Sequence, residues 1–289
     1  MKPSVTIKEI IEILPELRTV HSRTCLTYAL FSKLAHFAVK DSRFVKKQRA
    51  IENLGKLGDV ELPYLRMGAV DSLDLFGLDE LIIFAFYLTN RKRYRRAADI
   101  GANLGLHSII MSRCGWSVKA YEPDPFHAAA LQRNLNRNRV STVELILAAV
   151  SDRNGEMEFV RVLGNTTSSH LAGAKPNPYG KLNRFPVKVA SIGEIMVESD
   201  FIKMDAEGQE KIIILGTKAH HWTNVEMILE VGSDENAHAI FTHLKKLRLN
   251  GFAQKIGWNR VQSISDMPIS YKDGSLFITR ARTMPWNGS

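Results

Sequence analysis

The sequence predicts an α/β domain with a mainly parallel sheet, preceded by a helical cap. Two observations support this fold class. The apolar periodicity is helical in the first third of the chain, and short apolar strands alternate with helical stretches after it. Because the change comes near residue 96, we expect a helical cap over residues 1–95 and the α/β domain over residues 96–289, with an insertion at about 156–190.

Three helices are predicted in the cap. The segment Thr6–Glu9 forms a capping-box pattern, and the apolar stripe that follows it ends near Pro15. A second apolar stripe recurs at helical spacing and consists of Leu26, Leu30, Leu34 and Phe37. The third helix is expected from Asp79 to about Arg91, with acids at its start and bases at its end. Its apolar run, residues 81–88, is too short to cross a bilayer and indicates a buried helix.

Strands and helices alternate in the α/β domain. The expected strands are Ala97–Ile100, Val118–Tyr121, Val143–Val150, Phe201–Met204, Val225–Val231, Phe252–Ile256 and Ser275–Thr279. A helix from about Leu106 to Cys114 follows the first strand. Asp124 followed by Pro125 predicts the cap and first turn of a helix that reaches Asn138.

An insertion interrupts this alternation. The segments Glu156–Val162 and Phe185–Ala190 alternate apolar and polar residues, which indicates strands outside the central sheet. The stretch between them, Asn165–Arg184, is polar and rich in Gly and Pro. Because long ordered loops frequently carry function, we expect this loop to lie near the site.

The composition is that of an ordinary globular protein except for its charge. Hydrophobic residues make up 45% and charged residues 24%, which argues against a disordered or membrane-embedded chain. Of the formal net charge of +9, residues 1–96 carry +6, and the run Arg91–Arg96 alone holds five positive charges. Because this run precedes the first strand, we expect it at the amino edge of the sheet. It is interpreted as a solvated helix end or as a docking surface for an anionic membrane or a partner.

The cysteines and the N-terminus favour a cytoplasmic protein. Cys25 and Cys114 cannot form a disulfide framework, so two reduced thiols are expected. The first residues are interrupted by charged side chains and lack the continuous apolar stretch of a signal peptide.

The most informative motif is the segment Asp99–Gly105, where the first strand ends and a helix begins. Its glycines allow a ligand to approach the backbone, and the helix N-terminus offers free N–H groups. The spacing departs from the dinucleotide-binding pattern because Asn103 takes the place of the second glycine. The carboxylate of Asp99 suits a ligand with an ammonium group, such as S-adenosylmethionine, better than a pyrophosphate.

Two further motifs follow later strands. Glu122 ends the second strand, where a carboxylate is well placed to accept hydrogen bonds from ribose hydroxyls. The segment Phe201–Gly208 places Lys203, Asp205 and Glu207 on one side of an otherwise apolar strand. One interpretation is an ion pair between Lys203 and Asp205 that caps the next helix. The other is that Asp205 faces the reacting group at the carboxyl edge of the sheet.

Two histidines and a metal ion are alternatives to a carboxylate as the group that acts at the reacting centre. His107 follows the glycine-containing turn and is a candidate for contact with the cofactor, while His170 in the insertion is a candidate for contact with the acceptor. Glu230 ends a strand in register with Asp205, so a divalent metal between them is conceivable, but a third clear ligand is missing from the pattern and we predict no metal.

Together these motifs resemble the FkbM-type methyltransferases, a class I S-adenosylmethionine-dependent family. The resemblance covers about residues 97–232. It rests on Asp99–Gly105, Tyr121-Glu122-Pro123, Ala149-Val150-Ser151-Asp152 with Gly155, Ser168-Ser169, and Ile202–Glu210. It implies a Rossmann-like sheet whose last strand returns antiparallel, and methyl transfer to a hydroxyl oxygen of a small molecule or a sugar.

The resemblance also implies roles for individual residues. Asp99, Gly101, Asn103 and Gly105 would line the methionine half of the cofactor, Glu122 its ribose, and Ala149 with Ser151 its adenine. The chemistry adds a further role: a hydroxyl is a poor nucleophile until its proton is removed, so we expect Asp205 or Glu207 to act as general base, with Lys203 as orienting cation.

Two other functions stay open on the sequence. A ribose 2′-O-methyltransferase of RNA would use the same fold, and the basic composition favours it, but the chain lacks an RNA-binding signature. A binding module for S-adenosylmethionine without turnover is the other alternative.

Overall fold

The computed structural model describes residues 5–42, 44, 50–68, 70–174 and 180–286. The α-helices are α1 (Ile7–Ile13), α2 (Leu26–Asp41), α3 (Leu78–Thr89), α4 (Leu106–Arg113), α5 (Pro125–Arg137), α6 (Ile192–Glu198), α7 (Glu210–Leu215) and α8 (Asp234–Leu247). The strands are β1 (Ile51–Asn53), β2 (Asp59–Glu61), β3 (Arg96–Ile100), β4 (Ser117–Tyr121), β5 (Val143–Ile146), β6 (Ala149–Ser151), β7 (Gly155–Leu163), β8 (His170–Leu171), β9 (Lys181–Ser191), β10 (Phe201–Met204), β11 (Glu226–Glu230), β12 (Asn250–Ala253), β13 (Asn259–Arg260) and β14 (Ser275–Thr279).

The central sheet has eight strands in the order β13-β12-β14-β11-β10-β3-β4-β5. The five neighbouring strands β11, β10, β3, β4 and β5 run parallel to one another. Strand β14 lies between β11 and β12 and is antiparallel to both. The prediction of a mostly parallel, Rossmann-like sheet with an antiparallel last strand is therefore confirmed. Parallel strands end at one edge, so the loops after β3, β4, β10 and β11 meet there.

The insertion forms a sheet of its own, with strands in the order β6-β9-β7-β8. The two strands predicted there are confirmed as β7 and β9, which pair antiparallel. The single strand predicted over residues 143–150 is wrong. The chain turns after Ile146, where the N–H of Ala148 donates to the Ile146 carbonyl oxygen, and β6 then pairs with β9. A continuous apolar run does not reveal such a change of sheet.

Two other predicted boundaries are wrong. The strand predicted at residues 252–256 ends at Ala253, and a 3-10 turn follows at Gln254–Ile256. Helix α3 ends at Thr89, so the bases after it lie outside the helix. The side-chain amide of Asn90 closes that helix end by donating to the carbonyl oxygens of Phe86 and Pro285.

The N-terminal region is only partly helical, because residues 51–61 form the hairpin β1–β2. Helix α3 is buried along its length, as its apolar run predicts. One hydrophobic core contains Phe84 and Phe86 of α3 together with Phe201 and Phe277 of the central sheet. The boundary at residue 95 stays a prediction, and the core crosses it.

Helix α2 exists where its apolar stripe predicts it, but the stripe does not pack into the core. Leu26, Leu30 and Phe37 are 89%, 57% and 62% exposed. The core-facing side of the helix consists of Ala35, Ala38 and Val39, with half-buried Tyr28 and Phe31 packed against the core beside them. Among the described helices, none is long and apolar enough to pass through a membrane.

The basic run lies beside the amino ends of the strands. Arg96 begins β3, the backbone N–H groups of Arg95 and Arg96 donate to Asp200 just before β10, and Arg93 pairs with Glu226 at the start of β11. Its contact with a membrane or a partner stays a prediction.

Candidate active site

The glycine-containing turn after β3 packs directly against the end of β10. The backbone N–H groups of Gly101 and Ala102 donate to the carbonyl oxygen of Tyr121, and that of Asp205 donates to the Ile100 carbonyl oxygen. Gly101 has φ +76°, and a Cβ atom there would lie 1.8 Å from the carbonyl oxygen of Asp205. Only glycine fits this position, and the close approach joins the turn to the β10 end.

Glu122 fixes the same turn from the β4 side. Its buried carboxylate accepts a hydrogen bond from the Asn103 N–H at 2.8 Å and another from the Asp124 N–H at 2.8 Å. Burial raises the pKa of Glu122 to about 8, with the charges of Asp124 and Asp99 adding to the effect and the two N–H donors opposing it. Glu122 therefore holds the turn in shape, in addition to the ribose contact that the resemblance implies.

Lys203 in β10 pairs with Asp205 directly after it, as the period-two pattern predicts. The extension of this pattern to Glu207 is wrong, because the strand ends at Met204 and Glu207 has φ +51°. The Lys203 Nζ is 3.8 Å from the Asp205 Oδ2, with the lysine side chain 10% exposed and the aspartate side chain 39% exposed. The lysine is thus enclosed by the protein, whereas the aspartate reaches the open edge of the sheet. The predicted ion pair is therefore present, but the prediction that it caps the next helix is wrong, because α7 begins after Gln209 without a side-chain cap. The exposed part of the Asp205 carboxylate is open to a ligand.

A turn without regular structure connects β10 to α7. Glu207 has a positive φ of 51° in this turn, and Gly208 follows with φ +104°. The carboxylate of Glu210 accepts hydrogen bonds from the N–H groups of Ala206 and Gly208, at 2.8 and 3.0 Å. Burial and the charge of Asp205 raise the pKa of Glu210 to about 7, although these N–H donors oppose the shift.

A comparison with known protein families shows which family the chain belongs to. Residues 99–253 match the family described as methyltransferase FkbM domain, and this match covers more than half of the chain. The chain belongs to the FkbM methyltransferase family. No curated protein sequence matches the chain.

Solved structures of other methyltransferases are similar in fold. A precorrin-6y C5,15-methyltransferase from Geobacter metallireducens GS-15 is 12% identical with a TM-score of 0.36, and the match covers 68% of this chain and 85% of that one. An O-methyltransferase from Bacillus cereus in complex with SAH is 12% identical with a TM-score of 0.35, over 68% of this chain and 78% of that one.

The cofactor of this FkbM methyltransferase is S-adenosylmethionine, as predicted, and the turn has free acceptors that fit it. The Oδ2 of buried Asp99 accepts a hydrogen bond from the Ser108 hydroxyl at 2.6 Å, whereas its Oδ1 has no donor among the described residues. The Oδ1 of Asn103 is likewise buried and without a donor in the part of the chain that the structure describes. Two unsatisfied acceptors in one turn suit the ammonium group of the cofactor's methionine part, because buried acceptors are costly without donors.

The remaining predicted cofactor residues take different positions in the FkbM methyltransferase. Gly105 has φ +81° and begins α4. Ala149 and Ser151 form the buried strand β6, three residues beyond the end of β5. His107 uses both ring nitrogens within the protein, since Nε2 lies 2.8 Å from a Glu80 carboxylate oxygen and Nδ1 lies 3.0 Å from the Tyr87 hydroxyl. The cofactor contacts of these residues stay predictions.

The N-terminal region contributes acidic side chains that the sequence reasoning did not place at the site. Besides pairing with His107, Glu80 has its pKa held below the ordinary value by the charges of His107 and Lys203, although burial acts in the opposite direction. Burial and the charges of Asp205 and Glu80 raise the pKa of Glu230, at the end of β11, well above its usual range. The helix dipole already explains acids at the start of α3, so the sequence alone does not indicate a role for Glu80 beyond its own helix.

The insertion loop approaches the turn after β10. A Cβ atom on Gly208 would lie 3.1 Å from the carbonyl oxygen of Ala174, which brings the predicted loop beside the site. His170 is buried, and its Nδ1 lies 2.9 Å from the Ser168 carbonyl oxygen within the same loop. The part of the loop at residues 175–179 lies outside the described residues. Within the described part of the chain, metal-ligating side chains do not gather in groups of three or more.

Proposed function

We propose that this FkbM methyltransferase transfers the methyl group of S-adenosylmethionine to a hydroxyl oxygen of a small molecule or a carbohydrate. The observation that carries the proposal is the half-exposed carboxylate of Asp205. Asp205 lies directly after β10, and its backbone packs against Gly101 in the turn Asp99–Gly105, which we call the cofactor turn. A hydroxyl is a poor nucleophile until its proton is removed, and a carboxylate at this position is suited to accept that proton.

Lys203 holds this carboxylate and does not act as the base. Burial alone would lower the pKa of Lys203, but the charges of Asp205, Asp99, Glu80 and Glu230 raise it above its ordinary value. The side chain therefore stays an ammonium group, which has no lone pair to take a proton. At 3.8 Å from Asp205 it orients the carboxylate while leaving part of it exposed.

The rest of the chain positions the reactants. Bound S-adenosylmethionine supplies an activated methyl group on its sulfonium, so the protein mainly has to hold donor and acceptor at near-attack distance. The free acceptors of Asp99 and Asn103 would hold the methionine part, and the turn that Glu122 fixes would hold the nucleoside. Asp205 would then bind the acceptor hydroxyl and remove its proton.

Labelled S-adenosylmethionine provides the test. The purified protein is incubated with cofactor that carries tritium in its methyl group and with an extract separated into small-molecule, glycan, lipid, protein and RNA fractions. We expect label in a small-molecule or carbohydrate-containing fraction, in a form that resists alkali, because a methyl ether is stable where a methyl ester is hydrolysed. Alkali-labile label, or label on nitrogen or carbon after acid hydrolysis, would contradict transfer to a hydroxyl.

The same experiment distinguishes the RNA alternative. Label in the RNA fraction that is recovered as 2′-O-methylated nucleosides, with binding that weakens steeply as salt increases, would support an RNA ribose methyltransferase. Binding of the cofactor with no labelled product in any fraction would support a binding module instead.

A further inference from the structure

The outer face of α2 carries an apolar stripe that the described part of the chain leaves exposed. Leu26, Leu30 and Phe37 are spaced by four and seven residues, so they lie along one side of the helix over about 16 Å. Among the described large apolar side chains, Leu26 has the highest exposed fraction, at 89%. Half-buried Leu34 extends the stripe at its edge. We call these four residues the α2 stripe.

The α2 stripe is not explained by folding of the chain. A helix at the surface ordinarily turns its large apolar residues inward and its polar residues outward. The fully buried residues of α2 are Ala35, Ala38 and Val39, and half-buried Tyr28 and Phe31 pack against the core beside them. Leu26, Leu30 and Phe37 nevertheless face outward. Exposed apolar surface of this kind marks an interaction site.

The charges beside the α2 stripe indicate what it contacts. Lys33 and Lys40 are exposed along one flank, together with His36, and the helix has one acidic residue, Asp41 at its end. Neither lysine forms an ion pair with a described residue. Lysine is depleted in the apolar centres of protein–protein interfaces. Leucine and phenylalanine bordered by lysine are instead typical of helices that lie in the headgroup region of a membrane.

We propose that the α2 stripe docks this methyltransferase on an anionic lipid membrane. The stripe enters the boundary between headgroups and acyl chains, and Lys33 and Lys40 contact lipid phosphates. The run Arg91–Arg96 is less suited to this role. The apolar helix before it is buried in the core, and Arg93 is paired with Glu226.

The position of α2 relates this surface to the site. Near its amino end the Tyr28 hydroxyl donates to Asp79 Oδ1 at 2.8 Å, and Arg23 also pairs with Asp79. Asp79 and Glu80 begin α3, and Glu80 contacts His107 in the first turn of α4. The amino end of α2 therefore lies on the cofactor side of the sheet. A docked protein would present this edge of the sheet to the lipid surface. The relation of docking to catalysis rests on the proposed function, whereas docking itself does not.

Vesicle binding tests the proposal without methyl transfer. The full chain is sedimented with vesicles of phosphatidylcholine alone and with vesicles that contain roughly one third phosphatidylglycerol. We expect binding to the anionic vesicles that falls as salt increases, and little binding to the neutral ones. No binding to anionic vesicles at low salt would overturn the proposal, whatever the outcome of the transfer assay.

Two sets of variants locate the contact. The combined change Leu26→Ser, Leu30→Ser and Phe37→Ser should lower vesicle partitioning at least about tenfold, because it removes the inserted apolar surface. The combined change Lys33→Gln and Lys40→Gln should lower it roughly thirtyfold on anionic vesicles, at about fivefold per lysine.

A matched control changes exposed apolar residues elsewhere: Leu163→Ser, Val197→Ser and Ile269→Ser, which are 47%, 71% and 42% exposed. This variant should bind vesicles as the wild type does. Equal binding by the α2 triple variant and the wild type, with unchanged circular dichroism, would overturn the proposal. A wild-type dimer that the α2 triple variant converts to a monomer, without vesicle binding by either, would assign the stripe to a second copy of the chain instead.

Discussion

The N-terminal region and the α/β domain bury their apolar residues in different ways. In the α/β domain, short apolar strands such as β3 and β10 lie inside the sheet with helices on both faces. In the N-terminal region, α3 is buried on every side while α2 turns Leu26, Leu30 and Phe37 outward. The two regions nevertheless share one hydrophobic core, and α3 covers part of the central sheet. Sequence periodicity therefore identifies elements in both regions, and it gives the buried side of α1 but not that of α2.

The same two regions contribute unequally to the site. The α/β domain supplies the cofactor turn and the Lys203–Asp205 pair. The N-terminal region supplies Asp79 and Glu80, which hold neighbouring elements together. We expect changes in the α/β domain to affect chemistry and cofactor binding, and changes in the N-terminal region to affect stability.

The largest effect is expected for Asp205→Asn. The amide keeps the size of the side chain but cannot accept the hydroxyl proton, so turnover should fall about 10²- to 10⁴-fold. Binding of S-adenosylmethionine, measured by calorimetry, should stay unchanged. Asp234→Asn, at the exposed start of α8, is the matched control and should leave turnover unchanged. Equal turnover of Asp205→Asn and wild type would remove Asp205 from the chemistry.

The second effect concerns the contact between the cofactor turn and β10. Gly101→Ala places a methyl group 1.8 Å from the Asp205 carbonyl oxygen. The turn must move, which should cost about 3 kcal/mol of unfolding free energy and abolish cofactor binding. Gly115→Ala also has a positive φ but meets no atom within 4 Å, so it should cost only about 1 kcal/mol. Urea denaturation measures both, and equal losses would show that the close approach does not exist.

The third effect is a pH dependence from Glu210. Its pKa is about 7 in the folded chain, raised from an ordinary value of 4.5, so the folded state binds the proton more tightly than the unfolded state. Protonated Glu210 therefore contributes roughly 3 kcal/mol to the free energy of unfolding. This contribution is complete below pH 4.5 and is lost as the pH rises through about 7.

Glu210→Gln cannot titrate, and this isolates the effect. The difference in Tm between wild type and Glu210→Gln, taken as wild type minus variant, should decrease between pH 4.5 and 7 and become constant above pH 8. Subtracting the variant removes the titration of all other groups. A difference that is the same at every pH would show that burial does not raise this pKa.

The smallest effect tests whether the two regions unfold together. Asp79 accepts hydrogen bonds from Tyr28 at 2.8 Å and from Gln254 at 2.5 Å, and it pairs with Arg23. Asp79→Ala should cost about 2 kcal/mol, because it leaves these partly buried donors unpaired. Asp41→Ala, at the exposed end of α2, should change stability by less than about 0.5 kcal/mol.

Because the core is continuous, the Asp79→Ala protein should still unfold in one transition. Tryptophan fluorescence and circular dichroism should give the same denaturation midpoint. Two separate transitions would instead indicate that residues 1–95 form an independent cap.

Much of the α/β domain could be predicted because local chemistry determines it. The capping residue Asp124 accepts the Phe126 N–H and begins α5 where Pro125 predicts. Strands β10 and β14 match their predicted bounds because each is a short apolar run bounded by polar residues. The split of β5 from β6 was not predictable, since it depends on pairing with β9, which lies about 40 residues later.

The cofactor turn and the Lys203–Asp205 pair followed from the sequence because glycines and charges at strand ends have few other uses. The roles of Glu80 and Glu210 could not be predicted from the sequence. Each is an acid in the first turn of a helix, where the favourable dipole already explains an acid. Only the fold shows that Glu80 contacts His107 and that Glu210 accepts two N–H groups of the turn after β10.

The sequence by itself therefore determined the order of elements, the cofactor turn and the acid at the end of β10, because each depends on neighbouring residues and on period-two or helical spacing. The tertiary structure alone decided three things: that α3 belongs to the core of the sheet, that the α2 stripe faces solvent, and that acids from the N-terminal region reach the site. The physical reason is that spacing specifies which residues share a face, whereas long-range packing selects the face that is buried.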